Sequence, residues 1–383
     1  MLNKKVAISM IGSLLLLVVA ITAFYYGWFG KYRILIKTDF PHLTGWEQDD
    51  HVAALETLQK SCVIIAKQDP KKSFSSTTPQ AGTFGAWQNI CLASNQANKA
   101  DPASARKFFE TWFKPYRVYN NFKTTGLFTG YYLPTLRCSL IKDEKYTVPI
   151  YATPDDLVKV DFRVFDEKLK GRSFTGQVKN GKLRKYLTRA AIAKEPLKSA
   201  KVLAWCDDEI DVAFAQIQGS AIAQLPDQSQ FIIGYECSNG RAYTAIGKVL
   251  LKSGALTPGH SSMQDIRAWL NQHPEKITEV LNQNASYVFF RILENEEPLG
   301  SQQAPLTPER SLAVDRRYIP LGAPIWLDIS SDSFKHLMIA QDVGGAIKGI
   351  IRGDVYWGGN ERAEFIAGHM KSQGSYWILL PRT

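Results

Sequence analysis

Metal-ligand spacing, redox cysteine pairs and nucleophile motifs are all missing from this 383-residue chain, and each absence excludes a chemistry. The six histidines (His42, His51, His260, His273, His336, His369) never pair at ligand spacing, which sets aside a zinc hydrolase of the H-E-x-x-H type. The five cysteines (Cys62, Cys91, Cys138, Cys206, Cys237) contain no C-x-x-C, so redox and zinc readings have no motif to stand on. In an oxidising compartment they permit a disulfide, and their odd number leaves at least one thiol unpaired. No serine occupies a G-x-S-x-G elbow; Ser220 follows glycine in QIQGSA, a turn-like setting. Gly344 to Gly349 (GGAIKG) resembles a phosphate loop only in its glycines, because the order of lysine and final glycine is wrong and no Ser or Thr follows. No low-complexity tract or internal repeat occurs. No metal or cofactor is expected. The formal charge of +10 favours acidic partners such as anionic cell-wall polymer, phospholipid or nucleic acid, but it reads as spread along the chain and gives no nucleic-acid footprint.

Long hydrophobic runs are equally rare, with one exception at the start. Lys4 and Lys5 precede an uncharged, largely apolar run from Val6 to Phe29, and Lys31 and Arg33 follow it. At about 1.5 Å per residue the run can cross a hydrocarbon core of roughly 30 Å. It exceeds the usual core of a cleaved signal, about 7–15 residues. Ala20-Ile21-Thr22 is a poor cleavage site, and no cysteine before Cys62 could carry lipid. Residues 1–33 are therefore expected to be an uncleaved membrane anchor with the rest of the chain outside the cytoplasm. A cleaved signal is the alternative.

About 350 residues remain after the anchor, enough for two domains or one with an insertion. From His51 to about Arg117 the spacing predicts helices, with Asp101 and Pro102 as cap and first-turn proline. From Thr129 to about Ala242 short strand-like runs alternate with turns, among them a turn at Asn239-Gly240. SSMQDIRAWLNQ reads as a helix capped by Ser262 and Asp265, and EKITEVLNQN as a second short one. SYVFFRIL, APIWLDI, FKHLMIAQD and SYWILLP then read as strands, and so many short strands suggest a closed barrel.

The most informative block is AQDVGGAIKGIIRGDVYWG, residues 340–358. It sets Asp342 and Asp354 among glycines and beside Tyr356 and Trp357, and Asp315 lies upstream in SLAVDRRYIPLG. A carboxyl group can serve as a general acid near neutral pH if burial or a neighbouring carboxylate keeps it protonated. Glycines allow close approach of a bulky ligand. Gln216, Gln218, Tyr131, Tyr132 and Trp357 could complete a polar, aromatic-lined groove of the kind that holds polysaccharide. The same aspartates also suit plain strand-end turns, and the residues alone leave both readings open.

Ordered motifs give the block a context. FTGYY (128–132), VPIYATPDDL (148–157), LTRAAI (187–192), LAWCDD (203–208), QIQGSA (216–221), YTAIGK (243–248), SMQDIRAWL (262–270), NASYVFF (284–290), PLTPERSLAVDRRYIPLGAPIWLD (305–328) and WGGNERAEFIAG run through most of the chain beyond residue 125. In these motifs the sequence resembles the membrane-bound lytic murein transglycosylase A family, whose C-terminal part is called the 3D domain after three aspartates. The resemblance implies a mainly β fold with some α. Residues 34–130 and 242–383 would form a double-ψ β-barrel, with the 3D domain in 300–383. Residues 131–241 would form an inserted, smaller β-rich domain across a glycan groove. It implies a glycan lyase of the lytic exotransglycosylase type, acting on peptidoglycan glycan strands in the envelope of a Gram-negative-type bacterium. Asp354 would be the acid/base, Asp342 its supporting neighbour and like-charge perturber, and Asp315 structural. Tyr131, Gln218 and Ser220 match groove positions; Gly344 and Gly345 would shape the loop, and Trp357 would either stack on sugar or fill the barrel mouth. The chain departs from the family pattern in its expected membrane-spanning start, in Leu133 and in Ala285. A hydrolytic glycosidase using water and a non-catalytic glycan-binding barrel are the rival expectations.

Overall fold

The computed structural model describes residues 33–382 apart from Lys170, Asn295, Glu296, Ser330 and Asp332. The expected anchor, but for Arg33, lies outside the described residues. Among those residues no helix is long and apolar enough to cross a membrane.

Strand β1 (Arg33–Lys37) leads into three helices, α1 (His51–Ile65), α2 (Phe84–Ser94) and α3 (Pro102–Trp112). Asp50 caps α1 by accepting from the Val52 and Ala53 amides, and Asp101 caps α3 from Ala103. A disulfide between Cys62 and Cys91 fastens α1 to α2. The helical pattern stops earlier than expected. Phe113–Asn120 is strand β2, because Pro115 has no amide for a helix, and Phe113, Pro115 and Val118 are buried.

Strand β3 (Gly126–Tyr131) opens the barrel and the chain then departs into a second unit. There β4 (Thr135–Ser139), β5 (Val148–Tyr151), β6 (Val158–Asp161), β7 (Ser173–Lys179), β8 (Lys182–Lys185), β9 (Val202–Cys206), β10 (Ser220–Gln224), β11 (Gln230–Ser238) and β12 (Val288–Ile292) form two sheets. The larger has the order β12-β11-β10-β4-β9-β5, and β6-β7-β8 is a separate meander. A disulfide between Cys138 and Cys206 joins β4 to β9, and Cys237 is a free thiol. Five helices belong to this half: α4 (Arg189–Lys194), α5 (Glu209–Gln218), α6 (Ile246–Lys252), α7 (Met263–Gln272) and α8 (Ile277–Leu281). The expected reciprocal cap of Ser262 and Asp265 is formed on α7.

Two expectations change here. Residues 242–292 were assigned to the barrel, yet β12 pairs with β11, and α6, α7 and α8 share a core with Ile210 and Phe214 of α5. Asn239-Gly240 is no hairpin turn either. Asn239 is fully buried, and its amide nitrogen donates to the Leu187 and Ala285 carbonyls at 2.8 and 2.9 Å, stapling three segments.

The chain returns in β13 (Ser311–Val314), β14 (Pro324–Ile329), β15 (Phe334–Asp342), β16 (Arg352–Tyr356), α9 (Glu361–His369) and β17 (Lys371–Pro381). The ring β17-β14-β15-β13-β16-β3 closes because β17 also pairs with β3, giving a six-stranded barrel. The β13–β15 and β16–β3 pairs are parallel, and the remaining ring pairs are antiparallel. β2 and β1 extend the sheet beyond β17. Asp49 pins the helical layer to the barrel: Arg310 Nη1 donates to both its oxygens, His336 Nδ1 lies 2.7 Å away, and the Leu337 amide donates at 2.8 Å. Burial pushes this carboxyl up, but these partners outweigh it and hold it down at about 2.

Candidate active site on the barrel face

Strand alternation sorts the barrel residues around the glycine-rich block into two sets. Leu312, Val314, Val355 and Phe128 enter the main core, whereas Ala313, Tyr356 and Tyr131 cluster with Ile232 and Leu293 of the second unit. The second set faces the neighbouring sheet, and the carboxylates share its face.

Register brings those carboxylates together. Ala313 pairs with Asp354 on one side and with Asp342 on the other, and Asp354 pairs in turn with Thr129. Asp342, Ala313, Asp354 and Thr129 thus form one row across four strands. At about 4.8 Å per strand the two aspartate Cα atoms lie roughly 9–10 Å apart. The methyl of Ala313 leaves the space between them open. A bulge makes the row possible: Leu312 pairs with Ala340 but Ala313 with Asp342, so Gln341 is an extra residue. Gln341 turns to α1, where its amide nitrogen reaches Thr57 O and Ser61 Oγ at 3.2 and 2.9 Å. Without that extra residue Asp342 would miss the row.

Asp354 sits in a crowded recess with partial access to solvent. Its Oδ1 accepts a hydrogen bond from Thr129 Oγ1, and Thr129 Oγ1 in turn accepts from Arg352 Nη2 at 2.8 Å. Burial pushes the Asp354 carboxyl up to about 6, against the pull of Thr129 and Arg352. Asp342 adds only a small like-charge push, so burial and not the expected carboxylate neighbour is the main perturber.

Asp342 is likewise pushed up to about 6 by burial, but its oxygens are committed. Oδ1 accepts from the Ser301 and Val343 amides, both at 2.8 Å, and Oδ2 accepts from the Tyr131 hydroxyl at 3.0 Å. Tyr131 is buried against Tyr356, with ring centroids 5.2 Å apart. Burial, then the charges of Asp342 and Asp354, hold its phenol well above the usual range.

Asp315 stands apart. It is buried at the end of β13, where Arg317 Nη2 donates to it at 2.6 Å and the Gly349 amide at 2.9 Å. Burial works upward on this carboxyl, yet the Arg317 and Gly349 bonds bring it below its ordinary value. It anchors the far end of the glycine loop. Gly344 and Gly345 differ within that loop: a Cβ on Gly344 would meet Ile347 Cγ1 at 2.4 Å, while Gly345 faces open space.

Gln218 ends α5, and its Oε1 accepts from the Tyr132 amide at 3.1 Å, tying the exit of β3 to the second unit. Ser220 follows as the first residue of β10, half-buried. Trp357 resolves toward packing. Its indole nitrogen donates to Met370 Sδ at 3.4 Å, its ring lies 5.3 Å from Phe334, and a Cβ on Gly130 would strike it at 2.7 Å. Thr129, Ser301, Ala313 and Arg352 escaped the sequence reading. Thr129 lies inside FTGYY, Ala313 inside the 305–328 motif and Arg352 inside the 340–358 block, and Ser301 lies in no motif singled out there.

Comparison with known proteins gives this arrangement a family. Residues 127–291 match the domain described as the MltA specific insert domain, and residues 310–380 match the 3D domain. A crystal structure of MltA from Neisseria gonorrhoeae superposes with a TM-score of 0.77 at 30% identity, covering 91% of this chain and 93% of that one. The chain belongs to the MltA family. An MltA homolog from Buchnera aphidicola is 34% identical over 262 residues, 66% of this chain and 65% of the relative. The chain thus spans about 65% of the length of the curated relatives it matches. A structure of E. coli MltA with bound chitohexaose superposes with a TM-score of 0.61 at 28% identity, covering 80% and 86% of the two chains. The insert-domain match ends at 291, beside the end of β12, in line with the pairing of that strand in the second sheet.

Proposed function

We propose that this member of the MltA family is a lytic transglycosylase that cleaves the β-1,4 bond between N-acetylmuramic acid and N-acetylglucosamine in peptidoglycan. The product would carry a 1,6-anhydromuramyl end. The observation that carries the reading is the unequal treatment of the two carboxylates. Burial raises both carboxyls to about 6, but Asp354 is held by one hydroxyl, while Asp342 spends both oxygens on Ser301, Val343 and Tyr131.

A two-carboxylate hydrolase needs a second group free to act as nucleophile or to activate water. Asp342 does not have that freedom. One acid suffices if the nucleophile is the muramyl C6 hydroxyl, already tethered to the reacting ring, because tethering replaces most of the entropic cost of recruiting water. Asp354 protonates the leaving glycosidic oxygen, and its carboxylate then takes the proton of the C6 hydroxyl. Thr129, fixed as donor to Oδ1 because it accepts from Arg352, leaves Oδ2 to carry the proton. The substrate would lie between the barrel face and the second unit, with Tyr131, Gln218, Ser220 and the glycine loop along it. The two parallel pairs of the barrel support a double-ψ connection, and the family name supports an envelope location; anchoring by residues 1–33 belongs to the same proposal.

Mass spectrometry of digested murein is the test. Anhydro ends support the proposal. Reducing ends would convert it to a hydrolase, and intact strands would leave a glycan-binding barrel.

A further inference from the structure

The meander β6-β7-β8 takes no part in the acid site, and its register gathers most of its apolar side chains on one face, where Lys185, paired with Gly176, joins them. Val160 pairs with Phe174, Val178 with Leu183, and Val158 with Gly176, so Val158, Val160, Phe174, Val178 and Leu183 share one face. Lys159, Thr175, Gln177 and Arg184 occupy the other. That polar face is turned to the body of the protein: a Cβ on Gly240 would lie 2.8 Å from Thr175 Cβ, and Lys159 acts electrostatically on Cys237. The apolar face is left outward, with Val178 60% and Leu183 42% exposed. The turn after β6 adds Val164 and Phe165, 72% and 75% exposed.

The same 28 residues, 158–185, contain nine lysines and arginines against three acids, a net +6 out of +10 for the whole chain. The charge is therefore not spread evenly as the sequence first suggested. We propose that this meander is a docking surface for an anionic phospholipid membrane. Exposed apolar side chains rimmed by long basic ones suit the boundary between headgroups and acyl chains, where lysines extend their charge back to the phosphates. An anionic glycan would satisfy the charges and could stack on Phe165, but it would leave Val164, Val178 and Leu183 without partners, since aliphatic groups offer sugar hydroxyls no hydrogen bond. A second copy would set +6 against +6. Only an anionic bilayer meets both the charge and the apolar face.

The test uses the full chain in nanodiscs of phosphatidylcholine alone or mixed with phosphatidylglycerol, read by hydrogen–deuterium exchange. Exchange across 158–185 is expected to slow by about tenfold or more in the anionic discs and to be unchanged in the neutral ones. The variants Lys179→Glu/Lys182→Glu/Lys185→Glu and Phe165→Asp/Val178→Asp should each abolish the slowing. Both should leave exchange elsewhere and murein solubilisation as in the wild type. Equal exchange in the two kinds of disc, or in wild type and variants, would overturn the proposal. Slowing by soluble murein glycan in place of lipid would overturn it too, by making the meander a wall-polymer surface.

Discussion

Thr129 and Asp354 face each other across the parallel β3–β16 pair, and the direction of their hydrogen bond is fixed by a third residue. Arg352 has only donors, so Thr129 Oγ1 accepts from it and must give its own proton to Asp354. That bond favours the charged carboxylate and works against the burial that raises Asp354.

Thr129→Val should therefore raise the Asp354 carboxyl further. In the proposed mechanism the acid form starts the reaction, so wild-type activity should decline as pH rises through about 6. In Thr129→Val that decline moves to higher pH, while the maximal rate falls because Oδ1 is no longer held. Thr129→Ser keeps the donor and should restore the wild-type profile. A pH–rate profile of murein solubilisation decides it, and an unshifted limb in the valine variant would count against the relay.

Asp354→Asn should lose about 10²–10⁴-fold or more in anhydromuropeptide release while retaining murein binding. Stability should move the other way. A carboxyl whose pKa is raised in the folded state contributes stability at low pH and loses it as pH climbs through about 6. The asparagine variant should thus melt at or above the wild-type temperature at pH 8, with its advantage shrinking toward pH 4. Thermal scans at the two pH values check the sign.

Tyr131→Phe removes one of three donors that pin Asp342. The Asp342 carboxyl should rise, since that bond lowers it, and turnover should fall by about tenfold with the fold intact. Asp342→Asn should cost more than Tyr131→Phe and less than Asp354→Asn, because it keeps an oxygen for the Ser301 and Val343 amides but removes the charge and sets an NH2 against the Tyr131 hydroxyl. Steady-state kinetics on the three variants ranks them; equal losses would mean that Asp342 shares the proton transfer.

Asp49→Ala leaves the buried Arg310 without its carboxylate and should destabilise by about 3–5 kcal/mol. Asp49 is depressed to about 2, so its contribution is present above the unfolded value near 4 and is lost as pH falls toward 2. Denaturant titrations from pH 7 to pH 2 should bring wild type and variant together at the acid end.

Local chemistry was legible in the sequence, and register was not. The caps at Asp101 and Ser262 depend on neighbours within one turn, and both form as read. The glycine-rich block announced Asp342 and Asp354 because acids, glycines and aromatics in one segment are visible without a fold. Ala313, Thr129 and Arg352 carry no such signature. They matter because an extra residue in β15 and a parallel pairing with β3 align them with the acids. The sequence leaves Trp357 between stacking on sugar and filling the barrel mouth; its contacts with Phe334 and Met370, like those of Asn239 with Leu187 and Ala285, are tertiary and leave no mark in local composition. The basic meander was hidden by averaging charge over the whole chain.

Thr129 and its acid are separated by 225 residues, and nearly the whole second unit lies between them. A contact of that span is among the last to form in folding. Until it closes, Asp354 lacks the Thr129 bond and the β3 strand that helps bury it. The proposed glycan cleavage would need both halves of the barrel to have met, so folding itself would act as the safety catch.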